Sequence, residues 1–425
     1  MMTVKDNPFV AEGVQAMTAP SNTKRVLFVD DEQLVLDGLK RTLHSLRTEW
    51  QMDFSTSGED ALRKLATREF DVVVTDMRMP GMSGAELLTE VLQRYPNTVR
   101  IVLSGTVEHD LVLRSATTAH QYLVKPCDAA TLRGTLEAAL RIRAMLSSAK
   151  LRSLISRMTS LPSLPTVYAQ LVKSLENEEV SSRELGQIIA QDVGMTTKIL
   201  QLANSAFFGL YRYVASPAEA AVYLGVDTIR ALTLSTSVFS AFRQTGLTET
   251  LIEQLQRHSM ATGALGAAIA KAAGLPKKAC DCSLIGGFLH DVGKLVLAIS
   301  CANEYESLIV ASQKEKLTCH ELEQRQFGST HAEIGAYLLW LWGLPDAVCQ
   351  AVAFHHDPAA FSADTFTAAA AIHVADALEH ESSAPAHSAG CPSIDMEYLT
   401  RLGLADRLEA WRLLVRSSAD EGSQA

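Results

Sequence analysis

The sequence predicts two folds in one chain: a doubly wound α/β domain on a five-stranded parallel sheet, then an all-α helical bundle. Five short strand-like runs carry the first half of that prediction. VLFVDD (26–31), DFST (53–56), VVVTD (72–76), IVLSG (101–105) and QYLVK (121–125) alternate with helix-like segments, the spacing of a parallel sheet with helices on both faces. The second half rests on the stretch beyond LPSLP (161–165), where no strand-like alternation appears, only Ala- and Leu-rich amphipathic runs separated by Gly and Pro. A length of 425 residues exceeds one ordinary core, and 47% hydrophobic against 20% charged residues supplies ample material to bury.

Charge and composition exclude several classes of function. A formal net charge of −10 argues against a dominant nucleic-acid surface, and no recognition-helix motif is found, so DNA is not an expected partner. No long uncharged apolar run suggests a membrane span, and the start MMTVKDNPFVAEG lacks the basic and apolar regions of a signal peptide. Seven scattered cysteines read as reduced thiols. The expectation is a cytoplasmic protein without disulfides.

Residues 1–23 show no apolar period and end in TAPSNT, which reads as a flexible leader. In a doubly wound sheet, functional groups gather at the carboxyl ends of the strands. Those ends carry Asp30, Asp31, Asp76, Ser104 and Lys125. Three carboxylates brought together need a cation among them, and hard oxygen ligands suit Mg²⁺. Lys125 could neutralise an incoming phosphoryl group and the Ser104 hydroxyl could hydrogen-bond it. The set reads as a phosphoryl-accepting pocket in which the Asp76 carboxylate is the nucleophile and an aspartyl-phosphate the product.

Through VDDE, VVVTDMRMPGMSG, LSG and VKP, residues 24–146 resemble the receiver domain of two-component response regulators. The resemblance implies that Asp76 accepts phosphate from a sensor histidine kinase or phosphotransfer protein. It further implies that Asp31 and Asp76, with the Arg78 backbone carbonyl, ligate Mg²⁺, while Asp30 acts mainly through water. Ser104 and Tyr122 occupy the positions of the switch hydroxyl and switch aromatic, and Lys125 precedes Pro126 at a cis-proline position of the family. Arg78 stands where many members carry a small polar side chain.

From Asp128 a single long helix is predicted, with Leu132, Leu136, Ala139, Leu146, Leu151, Leu154 and Met158 at three-to-four-residue steps. Its first half closes the receiver, and residues 147–159 form a helical connector. The stripe either docks on its own domain or makes a homodimer seam through residues 132–158.

Residues 160–378 read as an all-α domain centred on GGFLHDVGKLVL (286–297). Here His290 and Asp291 form a metal-capable pair inside an apolar helical run, and Lys294, one turn on, is placed for a phosphate contact. His258 lies on the inward stripe of Leu251, Leu255, Thr262, Leu265 and Ile269. His331 opens HAEIGAYLLWLW, His355 and His356 close AVCQAVAFHHDP, and Asp376 shares a face with Ala369 and Ile372. A hydrogen-bonded histidine network would leave the same trace in the sequence as a metal site.

Through LPSLP, LGQIIAQDVGMTTKILQLANSAFFG, AVYLG, IRALTLS and the HD region, this half resembles the HDOD family, regulatory relatives of HD-type phosphohydrolases. The resemblance implies one metal held by His258, His290, Asp291 and Asp376. Asp291 would bridge to a second metal held by His331, His355 and His356. Such ligands suit Fe, Mn, Zn or Ni, and two such ions can hold a hydroxide in line with a phosphoester. HHDPAAF stands where cyclic-di-GMP hydrolases carry a glutamate and a Gly-Tyr-Pro loop, and HDOD members act through protein contacts or ligand sensing. The expected function is therefore a response regulator whose output domain signals to a downstream protein. The alternative is a phosphorylation-gated, metal-dependent phosphohydrolase acting on a nucleotide or cyclic dinucleotide. Residues 379–425 read as a surface loop and a closing helical tail.

Overall fold

The computed structural model describes residues 24–105, 119–145, 180–190, 195–196, 199–200, 203, 214–243, 247–315, 317–342, 344–383 and 392–422. The 1–23 leader, the 147–159 connector and LPSLP lie outside the described residues, as do the side chains of Ser104 and Tyr122.

Strands β1 (Lys24–Val29), β2 (Trp50–Ser55), β3 (Val72–Thr75), β4 (Val99–Gly105) and β5 (Gln121–Lys125) form one five-stranded sheet in the order β2-β1-β3-β4-β5. Every pairing is parallel. Helices α1 (Gln33–Thr42), α2 (Gly58–Thr67), α3 (Gly84–Arg94) and α4 (Ala129–Met145) accompany it. Strand order reverses between β1 and β3, so the crevice at their carboxyl ends is the topological switch point. Register sets what meets there. Val29 pairs with Thr75, which puts Asp30 beside Asp76, and the Asp76 amide donates to Val29 O at 2.8 Å.

Alternation along the strands splits the apolar residues between two layers. Leu27, Val29 and Val73 pack with Leu87, Leu88 and Val91 of α3. Val26, Phe28, Val72 and Val74 face the other way, in a cluster that includes Leu132, Leu136 and Ala139 of α4. That cluster does not stop at the sheet: it continues into Ile334, Leu338, Leu341 and Leu344 of the helical half. The first half of the 132–158 stripe is thus buried inside its own chain. Of the two readings of the stripe, this half follows the one in which it docks within its own chain, and residues 146–158 lie outside the described residues.

The helical half runs α5 (Ser182–Ala190), α6 (Pro217–Leu224), α7 (Val226–Arg243), α8 (Glu249–Ala272), α9 (Lys277–Leu289), α10 (Val292–Ser300) and α11 (Ala302–Glu315). It continues with α12 (Cys319–Phe327), α13 (His331–Leu341), α14 (Asp346–Ala353), α15 (Pro358–Phe361), α16 (Ala368–Ser383), α17 (Met396–Arg401) and α18 (Leu408–Gly422). Sequence punctuation explains the ends around the site. Thr318 with Glu321 and Thr330 with Glu333 make capping boxes for α12 and α13, and Gly328 ends α12 in the left-handed region at φ 70°. The closing segment is part of the bundle, because Tyr398 and Trp411 are buried against Leu265, Ile269 and Ala371 of α8 and α16.

Lys277–Ser300, 24 residues, is long and apolar enough to cross a membrane by composition, but most of it is buried in the bundle. It is also two helices, interrupted at His290 and Asp291. Close glycine approaches flank that break. A Cβ on Gly287 would lie 2.5 Å from Gly263 Cα, and one on Gly293 would lie 1.9 Å from His331 O. The first approach lets α8 bring His258 to the pair, and the second lets α13 bring His331.

Candidate functional site

At the switch point, Asp30 and Asp76 are buried and Asp31 is exposed at the mouth. Lys125 Nζ donates to Asp30 Oδ2 at 2.7 Å and also contacts Asp76 Oδ1. Burial alone would pull the Lys125 ammonium down, but its hydrogen bonds to the two carboxylates outweigh that and raise it. The remaining Asp76 oxygen accepts the Arg78 amide at 2.6 Å, and Asp30 Oδ1 accepts the Glu32 amide at 3.0 Å. A Cβ on Gly84 would lie 2.0 Å from Asp76 O, so only glycine lets α3 start this close to the pocket. The Lys125–Pro126 peptide is cis. One ammonium faces three carboxylates, so the donor set leaves a negative excess of hard oxygens that fits Mg²⁺.

In the bundle, His258, His290, Asp291, His331, His355, His356 and Asp376 converge from α8, the α9–α10 break, α13, the end of α14, and α16. Each of four rings has its Nδ1 occupied. His290 donates to Gly287 O at 2.8 Å and His355 to Val352 O at 2.7 Å, while His331 meets Glu323 Oε2 at 2.6 Å and His258 meets Glu379 Oε2 at 2.5 Å. Tying Nδ1 in this way leaves Nε2 to face the centre, the usual preparation of a metal-binding imidazole. There the Nε2 atoms of His258 and His290 are 3.2 Å apart, and those of His331 and His356 are 2.9 Å apart.

Asp291 Oδ1 is 3.4 Å from His290 Nε2 and 3.3 Å from His331 Nε2, a position between the two groups of rings. Asp376 Oδ1 is 3.1 Å from His258 Nε2 and 3.7 Å from His290 Nε2. Among the described residues, Asp291 Oδ1, Asp376 Oδ1 and His355 Nε2 are buried yet make no well-directed hydrogen bond. Buried atoms of this kind are ordinarily satisfied, and lone pairs crowding together are repulsive without a cation. The donor set therefore fits two transition-metal ions: His258, His290 and Asp376 for one, His331, His355 and His356 for the other, with Asp291 between.

Electrostatics agree with that fit. Burial and the neighbouring imidazoles hold His355 and His356 well below the ordinary histidine value, so both are neutral. Burial would raise the Asp291 and Asp376 carboxyls, but the adjacent imidazoles, with Lys294 beside Asp291, hold both well below their usual range. For His258, burial is outweighed by Asp376 and Glu379, which lift it to about 10. Lys294 Nζ donates to Asp291 Oδ2 at 2.7 Å, and the same oxygen lies 3.7 Å from His258 Nε2. An open cleft of about 560 Å³ lies over the His356 ring, lined by His320, Gln324, Arg325, Thr330 and Phe354 among others.

Several members of the site are absent from the sequence reading. Glu323 accepts both the His331 amide, at 2.7 Å, and its ring. Glu379 orients His258, His380 packs on His258 with ring centroids 4.5 Å apart, and His320 stacks on His356 at 4.2 Å. Glu379 and His380 fall three and four residues after Asp376, a helical spacing that could have found them.

The first half is a doubly wound α/β domain with a carboxylate and lysine pocket at its switch point, and the second is a helical bundle around a buried histidine and aspartate cluster. Comparison with family models gives both parts their names: residues 26–137 match the response regulator receiver domain and residues 161–358 match the HDOD domain. The chain is a two-component response regulator with an N-terminal receiver domain and an HDOD output domain.

Among curated relatives, an uncharacterized protein of Treponema pallidum (strain Nichols) is 30% identical over 205 residues, 48% of this chain and 39% of that protein. The hydrogenase transcriptional regulatory protein HoxA of Cupriavidus necator is 38% identical over 103 residues, 24% of this chain and 21% of its own length. The chain thus spans well under two thirds of either relative. An HDOD domain protein of unknown function from Geobacter sulfurreducens shares the fold, with a TM-score of 0.53 and 22% identity over 66% of this chain and 97% of that one.

Proposed function

We propose that Asp76 is the phosphoacceptor and that its phosphorylation controls what the HDOD domain presents to a downstream protein or ligand. The observation that carries this reading is Lys125 Nζ held between Asp30 and Asp76 at the switch point. An Asp76 carboxylate oxygen attacks the phosphorus of a phosphohistidine on a sensor kinase or phosphotransfer protein. The phosphorus–nitrogen bond breaks, the imidazole leaves, and Asp76 carries the phosphoryl group. Lys125 then exchanges its Asp76 oxygen for a phosphoryl oxygen while keeping Asp30. The Arg78 amide holds the second carboxylate oxygen, fixing the rotamer that presents the first. When bound, Mg²⁺ would supply charge neutralisation for the transferred group, held by the Asp31 and Asp76 carboxylates with Asp30 acting mainly through water. Ser104 and Tyr122 are proposed to respond to the new phosphate.

The test is phosphoryl incorporation from a small acyl phosphate with Mg²⁺, followed by intact mass. Wild type gains one phosphoryl group and Asp76→Ala gains none. Equal labelling of the two sinks the assignment.

A second reading is favoured by the cleft beside the histidine cluster: a metal-dependent phosphohydrolase acting on a nucleotide or cyclic dinucleotide, with Lys294 contacting phosphate. Metal content of chelator-free protein, then turnover across a phosphoester panel with Asp291→Ala as control, separates the readings. An inert, metal-loaded protein leaves the regulatory reading standing.

A further inference from the structure

The receiver and the histidine cluster share one helix. The face of the sheet that carries α4 packs on α13, whose first residue is His331. Gln121, which opens β5, donates its side-chain amide to Trp340 O at 2.7 Å. Arg141 of α4 pairs with Asp346 Oδ2 at 2.5 Å, at the start of α14. Leu132, Leu136 and Leu140 lie in the same buried cluster as Tyr337, Leu338 and Leu341.

Helix α13 has little room to deform. Every residue from His331 to Leu341 except Glu333 is buried, and the nine helical steps from His331 to Trp340 span roughly 13 Å. Its far end is clamped at the site. Glu323 grips both the amide and the ring of His331, and the α13 backbone rests on Gly293, two residues after Asp291. A shift of Trp340 along or about the α13 axis therefore moves His331 relative to Asp291. On the receiver side, the strand that opens with Gln121 ends with Lys125, whose ammonium holds Asp76.

Resting on the function proposed above, we infer that phosphoryl-group binding at Asp76 and metal binding at the histidine cluster are reciprocally coupled through β5 and α13. Each event then changes the affinity for the other by the same factor, because the coupling is a single free energy. The HDOD domain is accordingly a reporter of metal occupancy to the receiver as well as its output.

The experiment uses the full chain, Co²⁺ as the metal read through its visible absorption, and beryllofluoride with excess Mg²⁺ as the phosphoryl mimic. Asp291→Ala supplies the background. In wild type, beryllofluoride is expected to change the Co²⁺ affinity by about fivefold or more, with the same factor in beryllofluoride affinity on adding Co²⁺. Asp76→Ala abolishes the shift. Gln121→Ala with Arg141→Ala abolishes it while each ligand still binds alone, and the exposed change Arg141→Ala by itself reduces it should the double variant not fold. Equal Co²⁺ affinity with and without the mimic, in a chain that binds both, overturns the coupling alone. A shift that persists in the interface variants overturns the β5–α13 route. Failure to bind Co²⁺ overturns the coupling together with the metal reading, and failure to bind beryllofluoride overturns it together with the phosphoacceptor reading.

Discussion

Gly293 and Glu323 show how much the histidine cluster asks of residues that bind nothing. A methyl group at Gly293 meets a backbone carbonyl, which cannot turn aside as a side chain could. Gly293→Ala is expected to destabilise the fold by about 3 kcal/mol and to lower metal content, checked by a denaturation midpoint and elemental analysis. Protons report on the same site. Metal binding must displace the proton that Asp376 and Glu379 hold on His258, so affinity rises by about tenfold per pH unit between about pH 7 and 9. A flat profile in a competition titration contradicts this. The metal-free protein should be labile in acid for the opposite reason. His355 and His356 stay neutral when folded but take protons near 6.5 when unfolded, so stability is complete above that value and is lost as pH falls below it. Most of the candidate ligands were legible because residues such as His258 and Asp376 fall on inward helical stripes. Glu323 was not, because it reaches His331 across the left-handed turn at Gly328, a path no helical period describes.

Elements were legible in proportion to how fully they are buried. The central strands β1, β3 and β4 read as continuous apolar runs because both their faces are covered. The edge strand β2 was placed at 53–56 but spans Trp50–Ser55, since its half-exposed residues alternate weakly. Helix α13 starts where its capping box says it should, and the cap matters because the next residue is the candidate metal ligand His331. Thr330→Ala is expected to cost about 1 kcal/mol in denaturant unfolding. It should also loosen His331, seen as faster metal release to a chelator, whereas Thr318→Ala at the cap of α12 should leave release less affected.

For the whole molecule, the sequence marks two folds and is silent on how they meet. The meeting surface uses ordinary core residues, Leu132 and Leu136 from one side and Leu338 and Leu341 from the other, which any stripe would supply. Because one apolar cluster runs through both halves, they should unfold in a single calorimetric transition. Two resolved transitions would show that the shared core does not bind them into one unit.

The near-membrane hydrophobicity of Lys277–Ser300 has a consequence for the life of the chain outside its native state. This adhesive segment is pinned at its midpoint by His290 and Asp291, which the metals would hold. Stripping metal therefore loosens the lock on a segment apolar enough to aggregate once exposed. Chelator-treated protein is expected to precipitate on mild heating, at temperatures where the loaded protein stays clear by light scattering.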